Sequence, residues 1–381
     1  MKITLPDQTG QMVDYSLRGT PVAQATLGAN PARVVYSAAH VVADPFTGND
    51  PTGRASVDWA KTMEFRRYLA DLGLGIAEAM DTAQRGMGLD WTGALELIRQ
   101  TRTELPDALV ANGCGTDHLP AGDHTLDQVR AAYLMQVEEI QSLGGRIILM
   151  ASRALVRAAK GPEDYIRVYS DVLAACDQPV ILHWLGEMFD PALAGYWGAT
   201  CFEDALETAL AVINANIAKV DGIKISLLDK DKEIQMRRRL PAGVRMYTGD
   251  DFNYPELIEG DAQGHSHALL GIFDPLAPAA AYAVTKLGQG DAQAFRATLD
   301  PTVPLARLIF RAPTQFYKTG VVFLAWLNGF QDHFIMLNGA QAMRPLPYFT
   351  EVFRLADGCG LLRDPDHAVQ RMKRLLALYG A

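Results

Sequence analysis

Cysteine is scarce in this chain of 381 residues: Cys114, Cys176, Cys201 and Cys359 are the only four. No two of them have a Cys-x-x-Cys spacing, and so few in such a length do not make a disulfide scaffold. Long apolar runs are missing as well. The most apolar stretch, 321–327, falls far short of the roughly 20 residues needed to cross a bilayer. Residues 1–7 lack the apolar core of a signal peptide. An excess of positive charge is also absent. A net charge of -9 argues against general binding to nucleic acid or to an anionic membrane. The one basic run, Arg237-Arg238-Arg239, sits inside a charged segment, 229–240, and reads as a solvated helix face. These absences lead us to expect a cytoplasmic protein with reduced thiols.

What is present is an ordinary globular composition, 49% apolar and 21% charged, with ample length for a large core. Residues 1–30 read as an N-terminal appendage, a β-hairpin of two short strands. From Arg33 a strand–helix alternation begins. Strands are expected at 34–42, 75–80, 108–112, 146–151, 179–182, 220–226, 244–248 and 264–270. Helices are expected at 58–71, 91–102, 126–142, 162–176, 202–216, 231–240, 254–259 and 278–287. Eight strands, each followed by a helix, are what a parallel (β/α)₈ TIM barrel needs. A doubly wound open sheet is the alternative, but it usually has fewer strands, and no Gly-x-Gly-x-x-Gly follows the first strand. The barrel is assigned to 31–290. Beyond it, 291–381 reads as a helical extension, with helices at 292–299, 304–310, 314–328, 331–338, 348–357 and 366–379.

In a barrel of this kind the chemistry sits at the C-terminal ends of the strands. In this sequence those ends are polar: His40; Glu78, Asp81 and Thr82; Asn112 and Cys114; Ser152 and Arg153; His183 and Glu187; Lys224 and Ser226; Asp250 and Asp251; His265 and His267. The N-terminal ends are poorer.

One strand stands out, Val220-Asp221-Gly222-Ile223-Lys224-Ile225-Ser226. Ile223 and Ile225 fall on one face of its pleat, and Gly222, Lys224 and Ser226 on the other. If both faces are covered, Lys224 points into a cavity, where burial favours the neutral amine. Such an amine attacks a carbonyl and forms a Schiff base. His183 would then move protons. A metal site built from His40, His183 and His267 with Glu78 or Asp250 is the rival chemistry, that of a metal-dependent isomerase or hydrolase of a sugar-like substrate. A third reading is a non-catalytic barrel that binds a ligand.

The lysine strand, the charged helix after it, the segment Val244-Arg245-Met246-Tyr247-Thr248-Gly249-Asp250-Asp251, and Gly260 with Gly264 resemble the dihydrodipicolinate synthase and N-acetylneuraminate lyase superfamily. The resemblance covers 33–287 and is to a divergent branch without an assigned activity. It implies a TIM barrel with extra C-terminal helices and a class I, Schiff-base aldolase or lyase that needs no cofactor beyond its lysine. Lys224 would be the Schiff-base lysine. His183 stands where the family has a proton-relaying tyrosine. Met80-Asp81-Thr82-Ala83-Gln84-Arg85-Gly86 stands where the family has Gly-Thr-Thr-Gly-Glu or a close variant. There Thr82 keeps one hydroxyl, while Asp81 would repel a carboxylate. No Lys or Arg occurs between His183 and Thr200 to hold a distal acid group. These departures point away from pyruvate and toward a less anionic keto-sugar-like carbonyl compound. Thr82, Asp81, Ser226, Asp250, His267 and Glu78 are the expected substrate-binding residues. The apolar C-terminal helices suggest a homo-oligomer.

Overall fold

The computed structural model describes residues 1–28, 30–48, 50 and 53–381. Strands β1 (Lys2–Pro6) and β2 (Met12–Ser16) pair antiparallel into the expected hairpin, with Leu5 opposite Val13. It does not hang free. The Tyr15 hydroxyl donates to Asp357 Oδ2 at 2.7 Å, and the backbone N–H groups of Arg18 and Gly19 reach the same carboxylate. The appendage is therefore fastened to the helix Leu346–Gly358 of the C-terminal region. Ala29, which the appendage was expected to include, lies outside the described residues.

Eight parallel strands close into a barrel: β3 (Val35–Ala38), β4 (Gly75–Glu78), β5 (Val110–Cys114), β6 (Arg146–Leu149), β7 (Val180–Leu185), β8 (Val220–Ser226), β9 (Arg245–Thr248) and β10 (His267–Leu270), with β10 returning to β3. Helices alternate with them, so the fold is a TIM barrel. Local chemistry explains where several helices begin. Asp58 accepts from Lys61 N at the start of Trp59–Asp71. Thr125 and Gln128 form a reciprocal capping box ahead of Leu126–Ser142.

Alternation of side chains sets what each strand offers. Tyr36, Ala77, Ala111, Ile148, Ile181, Tyr247 and Leu269 fill the barrel interior. Ile223 and Ile225 of β8 pack outward beneath the helices, which leaves Lys224 and Ser226 facing in. His183 of β7 and Tyr247 of β9 are the register partners of Lys224, so all three share one inward layer.

Several elements differ from expectation. The strand expected at 34–42 leaves the sheet after Ala38. The eighth strand starts at His267, because Asp261 and Gly264 exchange backbone hydrogen bonds in a turn that consumes the residues before it. The helix expected at 331–338 is absent. Side chains take its backbone groups instead: the Gln331 amide donates to His333 O, and the Ile335, Met336 and Leu337 N–H groups donate to His333 Nδ1, Gln341 and Gln84.

The C-terminal helices cover the barrel. One continuous apolar cluster runs from Val35, Ala39 and Ile76 of the barrel to Phe323, Phe349 and Met372 of the extension. Among the described residues no helix is long and apolar enough to cross a membrane.

Candidate active site

Lys224 is 8% exposed and lies inside the barrel. Gly249 makes the room it needs, since a Cβ at 249 would stand 2.7 Å from Lys224 Cε and 2.3 Å from Ser226 Oγ. Burial pushes the ammonium below the usual lysine value. Asp251 and then Asp81 oppose that shift through space. Asp251 is buried too. Its Oδ1 accepts the Ile272 N–H at 2.9 Å, yet burial holds its pKa above the usual carboxylate range. Burial thus drives both members of this pair toward their neutral forms.

A small chamber of about 20 Å³ surrounds the amine, and Asp81, Thr82, Ser226, Asp251 and Tyr317 supply its polar walls. That is room for about one water molecule. Its roof is aromatic. Phe310 and Tyr317 of the C-terminal region stack with centroids 4.3 Å apart and an interplanar angle of 14°. Phe189, from the loop after β7, meets both edge-on. The Tyr317 hydroxyl is 2.8 Å from Thr82 Oγ1.

A larger cavity of about 390 Å³ adjoins the chamber, sharing Asp81 and Leu185 with it. Its wall includes Arg85, Thr116, Ser152, Arg153 and His183. Arg85 is held bidentate by Asp117 at 2.8 and 2.7 Å, and Arg153 pairs with Asp190. Cations therefore do reach the mouth, from β4 and β6 rather than from the segment after β7. A second buried lysine, Lys318, stands nearby. Its Nζ lies 3.1 Å from Gln315 O and 4.6 Å over the Tyr317 ring, and burial pushes it down to about 8 against the opposing pull of Asp81.

The residues singled out in the sequence meet different fates. Lys224, Ser226, Asp81 and Thr82 share the chamber. His183 lines the neighbouring cavity and stands behind Ser226, its Nε2 3.2 Å from Ser226 Oγ. Burial and the nearby Lys224 charge push this imidazole well below its ordinary pKa, so it stands neutral. Asp250 points away, capping the next turn by accepting from Phe252 N, Asn253 N and Asn253 Nδ2. Glu78 faces the helix layer, where its two oxygens bind Arg66 at 2.8 and 3.0 Å and the Thr101 hydroxyl at 2.6 Å. His267 sits at the start of β10, at the opposite end of the barrel, accepting the Val34 N–H at 2.9 Å.

His40 Nδ1 is bound to Asp274 Oδ2 at 2.8 Å. Among the described residues, no group of three or more His, Cys, Asp and Glu side chains is placed to hold a metal ion. Asp251 and Tyr317 were not singled out as binding residues. The pleat would have found Asp251, since 247, 249 and 251 continue the inward set that holds Lys224's neighbours. No local signal marks Tyr317, which arrives from another part of the chain.

A family model described as "Protein of unknown function (DUF993)" matches residues 3–381. No curated protein matches the chain. Solved structures that share its fold include dihydrodipicolinate synthase from Thermotoga maritima, at 14% identity and a TM-score of 0.64, covering 87% of this chain and 99% of that one. Dihydrodipicolinate synthase from Bacillus anthracis is similar at 15% identity and a TM-score of 0.63, covering 87% and 98%. The chloride-inhibited enzyme from Acinetobacter baumannii, solved complexed with pyruvate, is similar at 15% identity and a TM-score of 0.62, covering 86% and 99%.

Proposed function

The chain belongs to the DUF993 family, and from that premise we propose that it is a Schiff-base-forming lyase or aldolase acting on a keto-acid or keto-sugar-like carbonyl compound. The observation that carries this reading is Lys224: a lysine inside a closed barrel, its ammonium disfavoured by burial, facing a chamber walled by hydroxyls and carboxyls. The dihydrodipicolinate synthase fold supports it as an analogy of scaffold.

The steps follow from the groups present. The neutral Lys224 amine attacks the substrate carbonyl carbon, forming the C–N bond as the carbonyl π bond opens onto oxygen. Transfer of one N–H proton to that oxygen gives a carbinolamine, and a second proton on the oxygen lets water depart and leaves an iminium, an electron sink for breaking the adjacent C–C bond or for expelling a β-hydroxyl. The chain's own amine supplies the sink, so the reading invokes no organic cofactor or metal. Ser226, backed by the neutral His183, is placed to pass protons to the chamber. Asp251 and Asp81 act through space to favour the positive charge that grows on nitrogen, against the burial that opposes it.

Borohydride trapping with a panel of keto acids and keto sugars tests the reading, using intact mass and peptide mapping. The expected result is a single reduced adduct on Lys224 that disappears in Lys224→Ala. Absence of any adduct, together with unchanged turnover in Lys224→Ala, would sink it.

A further inference from the structure

The helical extension does more at the barrel mouth than cover apolar surface. Among the described residues around the Lys224 chamber, Tyr317 is the one phenol. It belongs to the helix Tyr317–Leu327, far from the barrel strands in sequence. Its ring is fixed on three sides: Phe310 stacks beneath it, Phe189 meets it edge-on, and Lys318 Nζ stands 4.6 Å over its face. Gly271 permits the close seating, because a Cβ there would meet Phe310 Cζ at 3.1 Å, Tyr317 Cε2 at 3.2 Å and Thr82 Oγ1 at 3.4 Å. A ring held this way aims its hydroxyl at one partner, Thr82 Oγ1, 2.8 Å away.

Thr82 follows β4, and Lys224 lies on β8, four strands further round an eight-stranded barrel. The Thr82–Tyr317 pair therefore faces the amine across the barrel axis. On the near side stands Ser226, backed by His183. We propose that Tyr317 is a catalytic residue of the Schiff-base site, and that with Thr82 it forms a second proton relay, supplied by the C-terminal extension, on the side of the chamber opposite the Ser226–His183 pair.

The inference rests on the Schiff-base reading above. Conversion of amine and ketone to iminium consumes one proton and releases one water. One N–H proton must pass from nitrogen to the departing oxygen, and the consumed proton must reach the same oxygen, within a chamber that holds about one water molecule. Thr82 gives its proton to that oxygen as it takes one from Tyr317, and each hydroxyl regains a proton in turn, so the relay ends unchanged. The same pair accepts and returns the proton at the carbon next to the iminium when the enamine forms and collapses.

That last step can be read without knowing the natural substrate. Pyruvate and dihydroxyacetone are incubated with the protein in deuterated water, and deuterium at the carbon next to the carbonyl is followed by NMR. Borohydride labelling of Lys224 is measured in parallel. Tyr317→Phe keeps the ring and its stack and removes only the hydroxyl. Its expected behaviour is full labelling on long incubation with exchange slowed about 100-fold or more. Thr82→Val is expected to show the same loss, and Thr82→Ser to restore exchange. Exchange at the wild-type rate in Tyr317→Phe overturns the relay. So does wild-type exchange in Thr82→Val, a result that also stands if Tyr317→Phe does not fold. Labelling that persists in all variants with unchanged exchange leaves the Schiff-base reading intact while removing this one. No label and no exchange in the wild type removes both.

Discussion

Two buried ionisable groups show how the same environment acts on residues with different tasks. Lys224 is driven toward its neutral form, the form that the proposed Schiff-base chemistry requires. Glu233, on the helix Lys230–Arg237, is fully buried with the Ser266 hydroxyl donating to its Oε1 at 2.7 Å, and burial pushes it up to about 8. It lines neither cavity, so its effect falls on stability. Its unfolded value is about 4.5, so between that and about 8 the folded chain holds a proton that the unfolded chain has lost. The stabilisation is full below the lower value and disappears as pH rises through the upper one. Glu233→Gln stays neutral throughout. Between about pH 6 and about pH 9 the wild type should lose on the order of 2–3 kcal/mol that the variant keeps. Melting temperatures of both proteins across that range check this, and parallel curves would contradict it.

At the scale of elements, the strand–helix contacts carry polar chemistry of their own. The Arg66–Glu78 pair joins the helix Trp59–Asp71 to β4 with neither partner exposed, and Arg66 also donates to the His40 and Ala39 carbonyls. Glu78→Gln would leave a buried guanidinium short of its counter-charge, an expected loss of about 3–5 kcal/mol. Urea denaturation measures it. Borohydride labelling of Lys224 per folded molecule should be unchanged, because Glu78 faces away from the chamber.

The same pair shows what was legible in the sequence. The alternation of elements, the lysine strand and the Thr82 and Asp81 positions could be read from the chain alone. The facing of residues at and just past a strand end was misread by one step at Glu78 and Asp250. Following the pleat from Ala77 and from Tyr247 would have turned both outward and brought Asp251 in. The absent helix at 331–338 had a different cause. Its apolar and aromatic spacing suits a helix, but Gln331, His333 and Gln84 take its backbone groups through contacts that only the folded chain creates. Tyr317 was illegible for a related reason, since its role depends on docking the extension onto a loop more than 200 residues earlier.

At the scale of the molecule, barrel and extension share one apolar cluster, and the Tyr254 and Thr302 hydroxyls bond across the two. Sequence divides the chain at about residue 290, but the shared cluster spans that division. Heating should therefore produce one cooperative transition in a calorimeter, with hairpin, barrel and extension melting together. Two resolved peaks would show the extension to be an independent unit.

The aromatic roof has a kinetic corollary. If Lys224 takes a ketone as proposed, a chamber of about 20 Å³ must widen before the ketone can enter. Entry must await a conformer in which the Phe310–Tyr317 stack or Leu185 has swung aside, and the apparent affinity for any carbonyl compound is weakened by the rarity of that conformer. Adduct formation should then level off with rising ketone concentration at a ceiling set by the opening rate, a ceiling shared by ketones of very different intrinsic reactivity. On this view the tail acts as a gatekeeper as well as a wall, and the rate at which it yields becomes a property of the catalyst.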